Sequence, residues 1–186
     1  MDACKTAFQR GTSLVEVLVT MVILSIGLLA LVVLHGRLHL LQMESYQRSQ
    51  ALILLNDMAA RITLNRNDVA NYVTVGSVGV GAACPVAVAT RQQADINEWC
   101  LSLQGASEAL GLNQVGAMVG GRGCVEDLGG NEFLVTVAWQ GQAPISAPPA
   151  GVTCGQGAYD GPVGSPCQAD LCRRVVTTVV RIAVLT

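Results

Sequence analysis

A long apolar run near the N-terminus constrains this chain more than any other feature. It extends from Leu14 to Leu34, and its only strongly polar side chain is Glu16, with Thr20 and Ser25 as weakly polar interruptions. A helix of this length spans about 30 Å, which is the thickness of the hydrocarbon core of a bilayer. Hydrophobic residues make up 51% of the 186 residues and charged residues only 13%, an unusual balance for a soluble domain. The sequence therefore predicts a membrane-spanning helix.

The segment before this run, MDACKTAFQRG, is short and polar, and Lys5 and Arg10 make it positive. Positive flanks stay on the cytoplasmic side of a membrane, so we expect the C-terminal bulk of the chain on the other side. A secretory signal has an apolar stretch of about 7–15 residues followed by a small-residue cleavage site. Here the apolar stretch is longer, and no A-x-A pattern follows it.

From the end of this run onward, apolar residues recur at steps of three and four residues, with a break at Ser45 and Arg48. These residues are Leu31, Leu34, Leu38, Leu41, Leu52, Leu55, Ala59 and Ile62. Such a stripe is typical of an amphipathic helix that packs against its own domain. We therefore predict one continuous helix over residues 13–66, roughly 80 Å long at 1.5 Å per residue, with an apolar first half and an amphipathic second half.

The rest of the chain is rich in Gly, Ala, Val and Ser. A short helix is predicted over residues 95–112. Apolar residues alternate in 133–140 and in 173–186, which indicates two strands of a sheet with one covered face. Residues 141–172, between these strands, hold five of the six prolines and three cysteines, and they predict a long loop.

Seven cysteines divide unevenly around the apolar run: Cys4 precedes it and six follow it. An even set in one compartment suits up to three disulfides in an oxidising space such as the periplasm, whereas free buried thiols would indicate the cytosol. Six cysteines allow fifteen connectivities. In the connectivity that we favour, one disulfide closes the proline-rich loop, a second joins the two strand regions, and the third joins the two cysteines that remain. These pairs are Cys154–Cys167, Cys124–Cys172 and Cys84–Cys100.

The junction between the basic segment and the apolar run carries the most specific motif. Gly11 ends the basic segment, and Glu16 lies five residues beyond it inside an apolar helix. This junction resembles the class III signal of type IV prepilins. The run SLVEVLVTMVILSIGLLAL is similar to that of the PilV-type minor pilins of Gram-negative type IV pili, and the C-terminal RRVVTTVVRIAV is similar as well.

The resemblance implies an α+β fold of the type IV pilin kind, in which a long N-terminal helix packs on an antiparallel sheet with disulfide-stabilised loops. It divides the chain into a removable leader (1–11), a transmembrane and filament-core helix (12–34), an amphipathic continuation (35–68) and a globular periplasmic or extracellular domain (69–186).

The resemblance also implies processing and assembly. In that family a prepilin peptidase of the inner membrane cuts after the glycine, here between Gly11 and Thr12, and N-methylates the new first residue. Thr12 departs from the Phe or Met that is common at this position. Glu16 would pair with the N-terminal amine of a neighbouring subunit and so set the register between subunits.

The function implied by the resemblance is that of a minor pilin, which enters type IV pilus filaments and helps to start or prime them, in support of adhesion and twitching motility. Its partners would be the inner membrane, other minor pilins, the major pilin and a pilus tip adhesin. The chain would be a single-pass inner-membrane protein before it reaches the filament at the cell surface.

The sequence offers little catalytic chemistry. Its only histidines are His35 and His39, which share a helix face but have no Cys, Asp or Glu nearby to complete a metal site. The globular part therefore lacks the histidine that Ser-His-Asp and Cys-His catalysis needs. A net charge of −2 and the absence of a basic run argue against nucleic-acid binding. We expect no enzyme activity, metal, cofactor or nucleic acid.

Two alternatives remain open. A minor pseudopilin of a type II secretion system shares the leader and the anchor, and its partners would distinguish it. A single-span periplasmic enzyme or binding protein would keep its leader, so the mass of the mature chain would identify it.

Overall fold

The computed structural model describes residues 13–106, 109–110, 113–114 and 118–183. In chain order the elements are helix α1 (Leu14–Leu64), a 3₁₀ helix (Arg66–Tyr72), β1 (Val78–Gly79), α2 (Arg91–Leu103), β2 (Ala109–Leu110), β3 (Asn113–Gln114), β4 (Arg122–Gly129), β5 (Glu132–Gln140) and β6 (Arg173–Arg181). The chain divides into two compact units, Met1–Gln42 and Met43–Thr186. Within the first unit the described residues are those of α1 and Ser13 before it.

The second unit is built on a four-stranded antiparallel sheet in the order β1-β4-β5-β6. Val135, in the middle of β5, lies between Val125 of β4 and Thr178 of β6. The turn from β4 to β5 contains Gly129, Gly130 and Asn131, which all have positive φ. Two glycines and an asparagine are the residues that adopt this conformation most readily. The strands β2 and β3 form a separate two-stranded sheet.

The second half of α1 provides one side of the core. Its buried residues are Gln47, Ala51, Leu55, Met58 and Ile62. The spacing of three and four residues is the one predicted, but the stripe is rotated, because Leu52 is 40% exposed. The apolar cluster continues into Trp99 of α2 and into the alternate residues Phe133, Val135, Val137 and Trp139 of β5. The expected fold, a long helix packed on an antiparallel sheet with disulfides, is confirmed.

The central strand is covered on both faces, which differs from the expected one-sided sheet. Thr136 and Ala138 point away from α1 and are nevertheless fully buried. The loop after β5 returns over them: Cys154 Sγ lies 3.9 Å from the carbonyl oxygen of Thr136. The long loop therefore forms a second layer and shields the middle of the sheet from water.

Helix α2 begins at Arg91, a full turn before the expected residue 95. Its start is fixed by a capping box, in which the Thr90 side chain accepts from the Gln93 N–H and the Gln93 side chain accepts from the Thr90 N–H. The helix ends at Leu103, before Gly105 with its φ of 97°. The predicted extension of this helix to residue 112 is wrong, because residues 104–106 form a turn and Ala109–Leu110 form β2.

The structure contains three disulfides: Cys84–Cys100, Cys124–Cys154 and Cys167–Cys172. Two of the expected pairs, Cys124–Cys172 and Cys154–Cys167, are therefore wrong. Cys124 is on β4 and Cys172 immediately precedes β6, with β5 between them. Two strand spacings come to about 9.5 Å, which exceeds the Cα separation of about 7 Å that a disulfide can bridge.

Candidate assembly site

The first turn of α1 places Glu16 on an exposed face. The carbonyl oxygen of Ser13 accepts hydrogen bonds from the N–H groups of Glu16, at 2.9 Å, and Val17, at 3.3 Å. An acidic side chain in the first turn is favoured by the helix dipole. Among the described residues Glu16 forms no ion pair. Its carboxylate is thus available to a group beyond them.

The surface around Glu16 is apolar and uncovered. An 18-residue window of α1 has a mean hydropathy of 3.0 with no residue buried, so the helix is long and apolar enough to cross a membrane. Its minor polar groups are satisfied within the helix: Thr20 Oγ1 donates to the carbonyl of Val17 at 2.9 Å, and Ser25 Oγ to that of Met21 at 2.7 Å. Internal bonds of this kind lower the cost of placing hydroxyl groups in an apolar environment.

Two other expectations concern this part of the chain. Gly11 and Thr12, the residues of predicted cleavage and N-methylation, lie outside the described residues, as does Cys4. His35 and His39 lie side by side, with their Nε2 atoms 3.1 Å apart. No set of three potential metal ligands is present among the described residues.

At its C-terminal end α1 is held by a cluster of charged side chains that the sequence analysis missed. Arg61 donates to Asp57 at 2.9 Å, to Asp95 at 2.9 Å and to Glu98 at 2.6 Å. Asp95 is 1% exposed and also accepts from the Tyr72 hydroxyl at 2.5 Å. The cluster connects α1 to α2 and to the 3₁₀ helix. Its only sequence signal is a pair of oppositely charged residues four positions apart on each helix.

These contacts shift two pKa values. Burial by itself lowers the pKa of Arg61, but its hydrogen bonds to Glu98 and Asp95 and the charge of Asp57 outweigh that effect and raise it. Burial and the hydrogen bond to Asp95 raise the pKa of Tyr72 to about 12. Both shifts favour the protonation states that hold the cluster together at neutral pH.

A second polar contact joins α1 to the start of β6. Glu44 accepts from Arg174 Nε at 2.9 Å and from the Gln142 N–H at 3.1 Å. Together with the Arg61 cluster, it holds the amphipathic half of α1 to the domain at two points far apart along the helix.

A polar cleft of the second unit, about 360 Å³, lies between the loop after β5 and the segment before β1. The Cys124–Cys154 disulfide lines it, and Thr153 Oγ1 donates to Glu126 at 2.7 Å. Its lining contains one carboxylate together with hydroxyl and amide groups, and no cationic side chain.

Comparison with known families places a motif on the N-terminal region. Residues 7–32 match the model of the prokaryotic N-terminal methylation motif. The match includes the leader junction, Glu16 and the first turns of α1, and it supports a type IV pilin-like family that comprises pilins and pseudopilins. It points to a structural protein and not to an enzyme. Comparisons with curated proteins and with solved structures returned no significant match.

Proposed function

We propose that this chain is a minor pilin of the PilV type, cleaved between Gly11 and Thr12, N-methylated at Thr12 and incorporated into type IV pilus filaments that it helps to initiate. The observation that carries the proposal is the coincidence of the methylation motif at residues 7–32 with a helix whose apolar surface is exposed. A subunit of this kind leaves the inner membrane by exchanging lipid contacts for contacts with the helices of other subunits. The major pilin, other minor pilins and a tip adhesin are its proposed partners.

Glu16 is the proposed register contact. An ionisable side chain inside a membrane-spanning helix costs about 2.5–3.5 kcal/mol on insertion scales, and such residues usually serve a function. Cleavage after Gly11 would create an amine at Thr12, one helical turn from Glu16. In a bundle of apolar helices, pairing between that amine and Glu16 of a neighbour would select one register, because apolar stripes alone discriminate poorly between registers.

The globular domain is proposed to lie outside the cytoplasm. Lys5 and Arg10 favour a cytoplasmic N-terminus, and the Cys84–Cys100, Cys124–Cys154 and Cys167–Cys172 disulfides suit an oxidising compartment.

Replacing Glu16 with Ala tests the register contact. Insertion and cleavage should persist, because the apolar run remains and the glycine is intact. Assembly should suffer, since leaving one member of a buried charge pair alone costs about 3–5 kcal/mol. We therefore expect processed Glu16→Ala protein in inner membranes and its depletion from sheared filaments, as measured by quantitative immunoblotting.

Thr20→Ala is the matched control, because Thr20 lies one turn further along α1 and its hydroxyl bonds only to the carbonyl of Val17. This variant should enter filaments normally. Recovery of Glu16→Ala in filaments at the normal ratio would refute the role of Glu16.

Processing is tested separately with Gly11→Val. That variant should accumulate as a full-length precursor, and an unchanged mature N-terminus by mass spectrometry would rule out the leader. A pseudopilin of a type II secretion system shares the same anchor, so identification of the subunits that co-purify with the chain decides between the two kinds of filament.

A further inference from the structure

Strand β6 forms an open edge of the sheet within the described part of the chain. It is the last strand in the order β1-β4-β5-β6, and it runs for nine residues. The opposite edge is covered: β1 pairs with β4, the Thr74 N–H donates to the carbonyl of Val125 at 2.9 Å, and the Val80 N–H donates to that of Gly121 at 2.8 Å. The two edges therefore differ in what they offer to another chain.

The register identifies the groups on the open edge. The backbone groups of Val125 on β4 bond away from β5, to Thr74, so those of its neighbour Cys124 point toward β5. Because this direction alternates from residue to residue, the registers of β4 with β5 and of β5 with β6 fix the direction of each backbone group on β6. On β6, Val176 and Thr178 direct their N–H and C=O groups to β5. Those of Val175, Thr177 and Val179 point away from the sheet. None of these outward groups has a hydrogen-bond partner among the described residues.

The side chains of this edge suit an added strand. Its sequence, RRVVTTVVR, is rich in β-branched residues, which pack well on a pleated surface. On the face opposite α1, Thr177 is exposed and Val179 is 44% exposed. Arg181 closes the strand with a side chain that is 77% exposed and bonds to Glu132 at 2.7 Å. Natural sheets usually protect an edge of this length.

We propose that the β6 edge binds an extended segment of a different protein, which adds an antiparallel fifth strand and carries an acidic residue opposite Arg181. In an antiparallel pair, the outward-pointing residues of the open edge lie opposite outward-pointing residues of the added strand. Two copies of β6 aligned about Thr177 would therefore place Arg181 of each copy opposite Arg173 of the other. Arg173 is 2% exposed and already paired with Asp170 at 3.3 Å, so a second copy offers Arg181 no carboxylate and sets another cation opposite it. The side chain of Arg181 is 77% exposed and its one acidic neighbour among the described residues is Glu132, so a partner with a carboxylate opposite Arg181 supplies a second acceptor that a second copy does not.

The peptide Glu-Thr-Val-Thr-Val-Thr-Val is a suitable probe. In antiparallel alignment its Glu faces Arg181, and its three valines face Val179, Thr177 and Val175. The full-length protein in detergent micelles should bind this peptide with slower amide hydrogen exchange at those three β6 residues, by about tenfold or more at saturation. The amides of Val176 and Thr178 already bond to β5 and should change little. A peptide with Lys in place of Glu should bind several-fold more weakly.

Two N-methylated peptides and two protein variants distinguish binding through backbone hydrogen bonds from binding through side-chain contacts. N-methylation of the middle valine of the peptide removes an N–H that points at β6 and should abolish binding. N-methylation of the neighbouring threonine removes one that points away and should not. In the protein, Thr177→Pro removes only an outward N–H, which an edge strand tolerates, and should also abolish binding, whereas Thr177→Val should retain it.

Three outcomes would overturn the proposal: unchanged exchange at saturating peptide, equal effects of the two N-methyl groups, or slowing of the same amides with protein concentration alone. The last would make a second copy the occupant. The edge would accept such a strand whether or not the chain enters a filament, so these results are independent of the Glu16 fractionation.

Discussion

Asp95 connects more of the domain than any other charged residue of the Arg61 cluster. It is almost completely buried and accepts hydrogen bonds from Arg61 at 2.9 Å and from the Tyr72 hydroxyl at 2.5 Å. Arg91, one turn before it on α2, adds a contact at 3.1 Å. A buried carboxylate is stable only when hydrogen bonds or opposite charges compensate for its lost hydration. Removal of any one donor should therefore destabilise the fold by more than the net free energy that its hydrogen bond contributed.

Replacing Tyr72 with Phe should make the free energy of unfolding less dependent on pH in the alkaline range. The pKa of Tyr72 is raised to about 12 in the folded protein, above about 10 for an unfolded tyrosine. Between these values the unfolded chain loses the phenolic proton and the folded chain keeps it, so stability falls as pH rises. Below pH 10 the contribution of Tyr72 is fully present.

In denaturant titrations from pH 8 to 12, Tyr72→Phe should lose about 1–2 kcal/mol at pH 8 for the missing hydrogen bond. The difference from wild type should narrow as pH increases above 10. A constant difference across this range would show that the phenol does not titrate with unfolding. Tyr46, which is on α1 and 41% exposed, provides the control substitution.

At the scale of elements, the packing of α1 contains an unusual polar group. Gln47 is 1% exposed, and neither its side-chain oxygen nor its nitrogen has a hydrogen-bond partner in the described structure. An unpaired buried amide costs free energy that an apolar side chain of similar length would not.

Gln47→Met should therefore raise the free energy of unfolding by about 1–2 kcal/mol. Gln50→Met is the control, because Gln50 lies on the same helix and is only half-buried; its effect should be within about 0.5 kcal/mol. Urea unfolding followed by tryptophan fluorescence measures both variants. Destabilisation by Gln47→Met would mean that the amide is paired in solution.

Elements with one regular period were predictable from the sequence, and elements that depend on distant contacts were not. α1, β5 and β6 follow helical or alternating patterns. The bounds of α1 and β5 lie within two residues of those expected, whereas β6 begins at the expected Arg173 but ends at Arg181, before the expected residue 186. β4 was missed because Gly123 breaks its apolar pattern. The Trp99 ring lies over that glycine, where an added Cβ would be 2.2 Å from the ring. Periodicity along the chain contains no information about such a contact.

The functional residues also differ in how far the sequence predicts them. Glu16 stands out in the sequence because a carboxylate interrupts an apolar run. The Arg61 cluster does not, since Asp95 is 34 residues away in the chain. Cleavage and methylation at Gly11 and Thr12, and the role of Glu16, stay predictions until the experiments above are done.

For the whole molecule, the disulfides can be mapped without ambiguity. No Lys or Arg occurs between Arg122 and Arg173, so trypsin leaves four cysteines in one peptide. Chymotrypsin cuts after Trp139 and Tyr159 and separates them. With Cys124–Cys154 and Cys167–Cys172, the non-reduced fragment that begins at Asp160 should be free of the other two in mass spectrometry. The alternative pairing would join all three fragments.

The Cys124–Cys154 and Cys167–Cys172 disulfides should also differ in how much each contributes to the free energy of unfolding. The Cys124–Cys154 bond closes a separation of 30 residues, and the Cys167–Cys172 bond a separation of 5. In the chain-entropy model these are worth about 4 and 2 kcal/mol. Paired substitution to alanine should therefore lower stability more for the first bond than for the second. Equal losses in denaturant titrations would show that native-state strain, and not loop length, decides their contributions.

The pairing of these cysteines leaves residues 155–166 as the only covalent path to the C-terminal strand. Cys167–Cys172 is a local bond, and neither Cys84–Cys100 nor Cys124–Cys154 crosses this segment. A single protease nick here would yield two fragments that remain together only through non-covalent contacts: the β5–β6 hydrogen bonds, the Arg174–Glu44 contact and the packing of Val176 and Val180 in the core. The small fragment would then be exchangeable, so a synthetic or labelled copy of β6 would replace the original by fragment complementation. The domain thus has a natural position at which it can be split, labelled and reassembled.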